Sequence, residues 1–97
     1  MKRKVFWSEE AENILTQITE YLKEEWSDKS ANKFLDIVEE KTALLAVYPE
    51  MCISSPSKKG WRKCVLTKQV SLLYSFNNSE VNIHTVIDNR EENESVF

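Results

Sequence analysis

An α+β fold, with a helical hairpin set against a small sheet, is what this 97-residue chain predicts. Three observations carry the prediction. The last third holds three short runs of alternating residues, the middle holds two apolar stripes at helical spacing, and only brief polar breaks separate these segments.

Lys4-Val5-Phe6-Trp7 is short, aromatic and β-branched, and reads as a first strand. Ser8 then supplies an N-cap, and Glu9, Glu10 and Glu12 place negative charge where the first-turn dipole favours it. Ala11, Ile14, Leu15, Ile18, Tyr21, Leu22 and Trp26 form the stripe of a first helix. Ser27-Asp28-Lys29 breaks that pattern. A second stripe of Ala31, Phe34, Leu35, Val38, Thr42 and Leu45 follows until Pro49 disfavours helix at Tyr48. Ile37 and Leu44 widen this second apolar face, so the helix is expected to pack on both its partner and the sheet. The short break makes the pair an antiparallel hairpin.

Trp61 to Leu66 is the next strand. In Val70 to Phe76, residues Val70, Leu72, Tyr74 and Phe76 share a face; in Val81 to Asp88, residues Val81, Ile83, Thr85 and Ile87 do. Thr67-Lys68-Gln69 and Asn77-Asn78-Ser79 are polar turns. The order is therefore β-α-α-β-β-β, a helical hairpin packed on a small, largely antiparallel four-stranded sheet, in a single domain over residues 1–97. No apolar run approaches the roughly eighteen residues of a membrane span. The basic Lys2-Arg3-Lys4 start leads into a helix broken by acids, not into a signal-peptide core, so a cytoplasmic location is expected.

Charge is distributed unevenly. The formal net charge is −3, yet no acid occurs between Met51 and Ser79, a span that carries Lys58, Lys59, Arg62, Lys63 and Lys68. The hairpin from Glu9 to Glu50 has eleven acids against four lysines. A basic sheet edge on an acidic body suits an anionic target, whereas the plainer reading is that edge lysines solubilise the strand and deter aggregation. Cys52 and Cys64 have no Cys-x-x-Cys spacing and there is one His, so neither a metal nor a cofactor is expected, and both cysteines are read as reduced thiols, Cys64 packed. His84 is read as structural ahead of a general base. Asp88 and Arg90 are read as an ion pair anchoring the tail or as target contacts, and Trp61 as a packed residue ahead of a base-stacking platform.

The chain resembles the RelE/ParE superfamily of bacterial toxins, above all its ParE-like, plasmid-stabilisation branch. The resemblance rests on Ile18-Thr19-Glu20-Tyr21-Leu22 leading to Glu25-Trp26, the Phe34 to Leu45 helix ending near Pro49, Leu72-Leu73-Tyr74, and Asp88-Asn89-Arg90, and it covers roughly residues 3 to 94. It implies the toxin of a type II toxin–antitoxin system, acting on DNA gyrase without catalysis and neutralised by a cognate antitoxin in a hetero-oligomer. The RelE branch instead cuts mRNA on the ribosome with clustered basic residues and a C-terminal Tyr. Here Arg62 and Arg90 match basic positions of that branch, but Cys64 and Ser71 replace two others and no Tyr follows Arg90, which points away from an enzyme. Lys58, Lys59, Arg62, Lys63, Lys68 and Arg90 are the candidate target-binding residues, with Arg62 and Arg90 the only catalytic candidates. The alternatives are the ribosome-dependent endoribonuclease and a non-toxic orphan interaction module of the same fold.

Overall fold

The computed structural model describes residues 2–55 and 58–89. The chain runs β1 (Lys4–Trp7), α1 (Glu9–Glu25), α2 (Asp28–Val47), β2 (Ile53–Ser54), β3 (Arg62–Val65), β4 (Val70–Phe76) and β5 (Glu80–Asp88). The strands form one sheet in the order β1-β5-β4-β3-β2, parallel between β1 and β5 and antiparallel elsewhere.

Ser8 fixes the first helix to the sheet. Its hydroxyl accepts from the Ala11 amide at 2.9 Å, which caps α1, and donates to the His84 carbonyl at 2.6 Å, while its own amide donates to the Ile83 carbonyl at 2.9 Å. Ser27 caps α2 in the same way, accepting from the Ser30 amide. The core lies between the hairpin and one sheet face, where Ala11, Ile18, Leu22, Ala31, Phe34, Val38 and Leu45 meet Cys64, Val70, Leu72, Tyr74, Val81, Ile83 and Val86. The helical stripes predict the centre of this layer and overstate its width. Trp26 is the C-cap beyond the last turn of α1 and stays half-exposed; Tyr21, Leu35 and Leu44 lie at the rim, each more than a third exposed.

Three expectations are corrected. The sheet has five strands, because Ile53 and Ser54 pair with Lys63 and Arg62, and a two-residue strand is too short for alternation to reveal. Cys52 and Cys64, expected as reduced thiols, are joined as a disulfide with Cα atoms 5.1 Å apart. The β2–β3 hairpin folds Cys52 back beside Cys64. Finally, β5 does not keep one alternation throughout. Leu73 pairs with Thr85 and Tyr74 with Ile83, leaving His84 as an extra residue between them. Past this bulge the parity inverts. Val86 is buried in the core, while Thr85 and Ile87, assigned to the core face by strict alternation, are only half-buried.

Candidate target-binding surface

The cations of the basic span are spread along β3 and divided between the two faces of the sheet. Lys58 and Lys59 are exposed in the turn before β3, and Lys68 is exposed in the turn after it. Arg62 and Lys63 are neighbours within the strand and so point to opposite faces. Arg62 turns inward. Its Nη1 donates to the Cys52 carbonyl at 2.7 Å and the Glu50 carbonyl at 3.3 Å, and its guanidinium lies 5.8 Å from the Phe76 ring centroid. It therefore ties the segment after α2 to the sheet, which overturns the expectation that every cation of the strip is a free edge charge. Arg90 and the tail lie outside the described residues, as does the Arg90 half of the expected pair with Asp88.

Tyr74 holds the same segment from beneath. Its buried hydroxyl donates to the Pro49 carbonyl at 2.6 Å. Burial pushes its pKa up, opposed by a hydrogen bond from the Cys52 backbone and by the charge of Arg62.

On the sheet face away from the helices the structure gathers residues that the sequence could only treat singly. The Trp61 and His84 rings stack with centroids 4.1 Å apart and planes 8° from parallel. Lys58 Nζ lies 4.5 Å from the Trp61 centroid, and Ser75 Oγ is 2.7 Å from His84 Nε2. Ordinary alternation makes this cluster, since Ile83 faces the core and its neighbour His84 therefore faces the other way, toward Ser75. His84 is thus packed against Trp61 with a hydroxyl at its ring nitrogen, which the sequence did not place there, and a nucleic-acid base could stack on Trp61 only against the company of His84 and Lys58.

Burial, reinforced by the charge of Lys58, lowers the His84 pKa. The unfolded chain, with an ordinary histidine pKa of about 6.5, consequently takes up the proton first as pH falls. The contribution of this group to stability is complete above about pH 6.5 and is lost as pH drops from there through the folded pKa. His84 is the sole histidine. The melting temperature is expected to fall as pH is lowered from about 6.5, and His84→Gln to remove the part of that fall that this ring causes; an equal drop in both proteins would count against this environment for the ring.

At the Phe76 ring that Arg62 also approaches, Arg3 joins the basic set without having been singled out from the sequence. Its Nε donates to the Asn77 carbonyl at 2.7 Å and its guanidinium lies 5.6 Å from the Phe76 centroid. Two clefts meet at Arg3. One, of about 580 Å³, runs between edge strand β1 and α2 and is lined by Lys2, Arg3, Lys4, Val5, Phe6 and the Ala43 and Ala46 side of the helix. The other, of about 540 Å³, is lined by Val47, Tyr48, Pro49, Glu50 and Met51. Phe6, Val47, Tyr48 and Met51 are all more than 40% exposed, so an apolar strip bordered by cations is open to solvent. The described residues contain no group of three or more His, Cys, Asp or Glu placed to hold a metal ion, and no helix long and apolar enough to cross a membrane.

The fold matches solved toxin–antitoxin structures. A chain of the chromosomal ParDE system from P. aeruginosa superposes with a TM-score of 0.74 at 17% identity, covering 90% of this chain and 96% of that one. The E. coli DinJ-YafQ toxin–antitoxin complex gives a TM-score of 0.64 at 11% identity, covering 94% and 97%. YafQ from E. coli strain BL21(DE3) gives 0.51 at 16% identity, covering 94% and 98%. At these identities the likeness is one of fold. No curated protein sequence matches. The sequence family described as the ParE toxin of the type II toxin–antitoxin system parDE matches residues 5–93, nearly the whole chain, and the protein therefore belongs to the ParE toxin family.

Proposed function

We propose that this ParE-family toxin acts on DNA gyrase in the cytoplasm and is held inactive by a cognate antitoxin. The observation that carries the gyrase reading is the dispersal of the cations. Cleavage of RNA at one phosphodiester calls for cations and a proton-transfer group focused on a single phosphate. Here Lys58 and Lys68 stand at opposite ends of β3, Arg62 is engaged by backbone carbonyls, and Cys64 and Ser71 are buried. An extended basic border fits a broad acidic protein surface better than it fits one phosphate.

The antitoxin is proposed to occupy the clefts that meet at Arg3. β1 is an edge strand, its neighbouring clefts mix apolar side chains with Lys2, Arg3 and Lys4 and with the acids Glu39 and Glu50, and the cations beside the open strand edge suit an acidic amphipathic segment that orders on binding. The likeness to the DinJ-YafQ complex keeps a ribosome-dependent endoribonuclease as the second reading, and one experiment separates the two. Expression without antitoxin is expected to arrest growth with induction of the SOS response and gyrase-linked DNA breaks. Site-specific cuts in mRNA at translating codons would overturn the gyrase reading. Co-expression with the product of the neighbouring gene should give one complex on size-exclusion chromatography, and separate elution at micromolar concentration would exclude that product as the antitoxin.

A further inference from the structure

We propose that Cys52 and Cys64 form a reversible dithiol–disulfide couple that latches the segment from Cys52 to Ser55, and with it edge strand β2, onto β3. The proposal is independent of the cellular target and rests on how this segment is attached. β2 has only two residues paired to β3, at Ile53↔Lys63 and Ser54↔Arg62. Side chains hold the approach to it: the Tyr74 hydroxyl takes the Pro49 carbonyl, and Arg62 takes those of Glu50 and Cys52. Beyond Cys52 the attachments include that two-residue ladder and, at buried Ser55, the bond from its amide to the Trp61 carbonyl at 2.7 Å. Ile53 in the middle is 70% exposed and adds almost no burial. A covalent tie at Cys52 is therefore the strongest restraint on Ile53 and Ser54, both exposed, which lie between it and buried Ser55.

The two sulfurs are unequal in the way a reversible couple requires. Cys64 is 2% exposed and sits in the core, paired across the sheet with Leu72, so it keeps its place whether or not the bond exists. Cys52 is half-buried at the surface, beside the Arg62 guanidinium that binds its carbonyl. A nearby cation and partial exposure favour a reactive thiolate. Oxidation proceeds when the Cys52 thiolate attacks a low-molecular-weight disulfide such as oxidised glutathione, releasing one glutathione thiolate and leaving a mixed disulfide on Cys52. The Cys64 thiolate then attacks the Cys52 sulfur, closes the internal bond and releases the second glutathione. Two electrons and two protons pass from the protein dithiol to one glutathione disulfide, giving two glutathione thiols. Reduction is the reverse, entered at Cys52, the less buried of the two sulfurs. In a reducing compartment, where disulfides are seldom permanent, such a pair reports the thiol–disulfide poise as a change in the order of β2.

The test uses the intact purified chain equilibrated in oxidised or in reduced glutathione. Alkylation with iodoacetamide and mass measurement counts free thiols, and hydrogen exchange follows the amides of residues 52–55. The oxidised protein should take up no alkyl group and the reduced protein two under denaturing conditions. Exchange at residues 52–55 is expected to be at least about tenfold faster in the reduced form, with β4 and β5 unchanged. Cys52→Ser spares the buried Cys64 and should exchange like the reduced protein in both buffers. Equal exchange at residues 52–55 in two forms verified by alkylation overturns the latch, and so does a protein that keeps both thiols free in excess oxidised glutathione.

Discussion

Leu72→Ala is expected to cost roughly 2–5 kcal/mol of folding stability, a large share of the roughly 5–15 kcal/mol available to a domain of this kind. Leu72 is fully buried on central strand β4, paired with Cys64 on one side and Val86 on the other. The layer it joins is also filled from above by Phe34, Ile18 and Leu22, so no neighbour is free to collapse into the space. Urea unfolding should show the midpoint falling sharply with the slope unchanged, and toxicity should fall only as the folded fraction does. A loss below about 1 kcal/mol would mean that the hairpin does not seat on this face of the sheet.

How much of this architecture could be read from the chain depends on how long each periodic signal runs. The stripes of α1 and α2 extend over several turns, and Ser8 acts as the cap that its position announces, while Ser27, read only as part of the break between the stripes, caps α2. The alternation of β4 spans seven residues and assigns Val70, Leu72 and Tyr74 to the core correctly. β5 is harder, because a single bulge at His84 converts a correct reading up to Ile83 into an inverted one after it. Nothing in Val81 to Asp88 marks that inversion, since Val86 and Ile87 are equally apolar and either could face inward. The disulfide was misread on chemical grounds, because a reducing compartment disfavours one. Its two cysteines are brought together by a strand whose evidence is a pairing partner and not a pattern.

The candidate surface was legible in composition and not in direction. The acid-free span does carry five cations, but adjacent strand residues face opposite ways, and this separates Arg62 from Lys63. Arg62 ends among backbone carbonyls because the segment after α2 passes beneath it, a long-range relation that local sequence does not encode. Arg3 was overlooked because it reads as part of a basic N-terminal run, whereas its neighbours in space are Phe76 and Asn77. The Trp61–His84 stack likewise depends on sheet pairing that brings the residue before β3 across to β5.

Charge reversal at Lys58, Lys59 and Lys68 is expected to abolish toxicity while leaving the fold intact. All three side chains are exposed in turns, and reversing them changes the formal charge of the basic border by six without opening the core. Lys58 touches the Trp61 ring, a contact worth about 0.5–1 kcal/mol at an exposed site, and exposed charges elsewhere contribute at most about 1 kcal/mol each. The melting temperature should therefore shift by no more than a few degrees. Arg62 is deliberately absent from the set. Removing it leaves the Cys52 and Glu50 carbonyls without their donor, at a cost of about 1–3 kcal/mol, so a lost activity could not be assigned to lost target contact. Binding of an anionic protein surface through this border also requires association to weaken as salt is raised, and to weaken less steeply for the reversed protein. Growth assays, thermal melts and a salt series on the same triple variant decide the matter: full toxicity with an unchanged melt would show that the cations only solubilise the edge and that the target is gripped elsewhere.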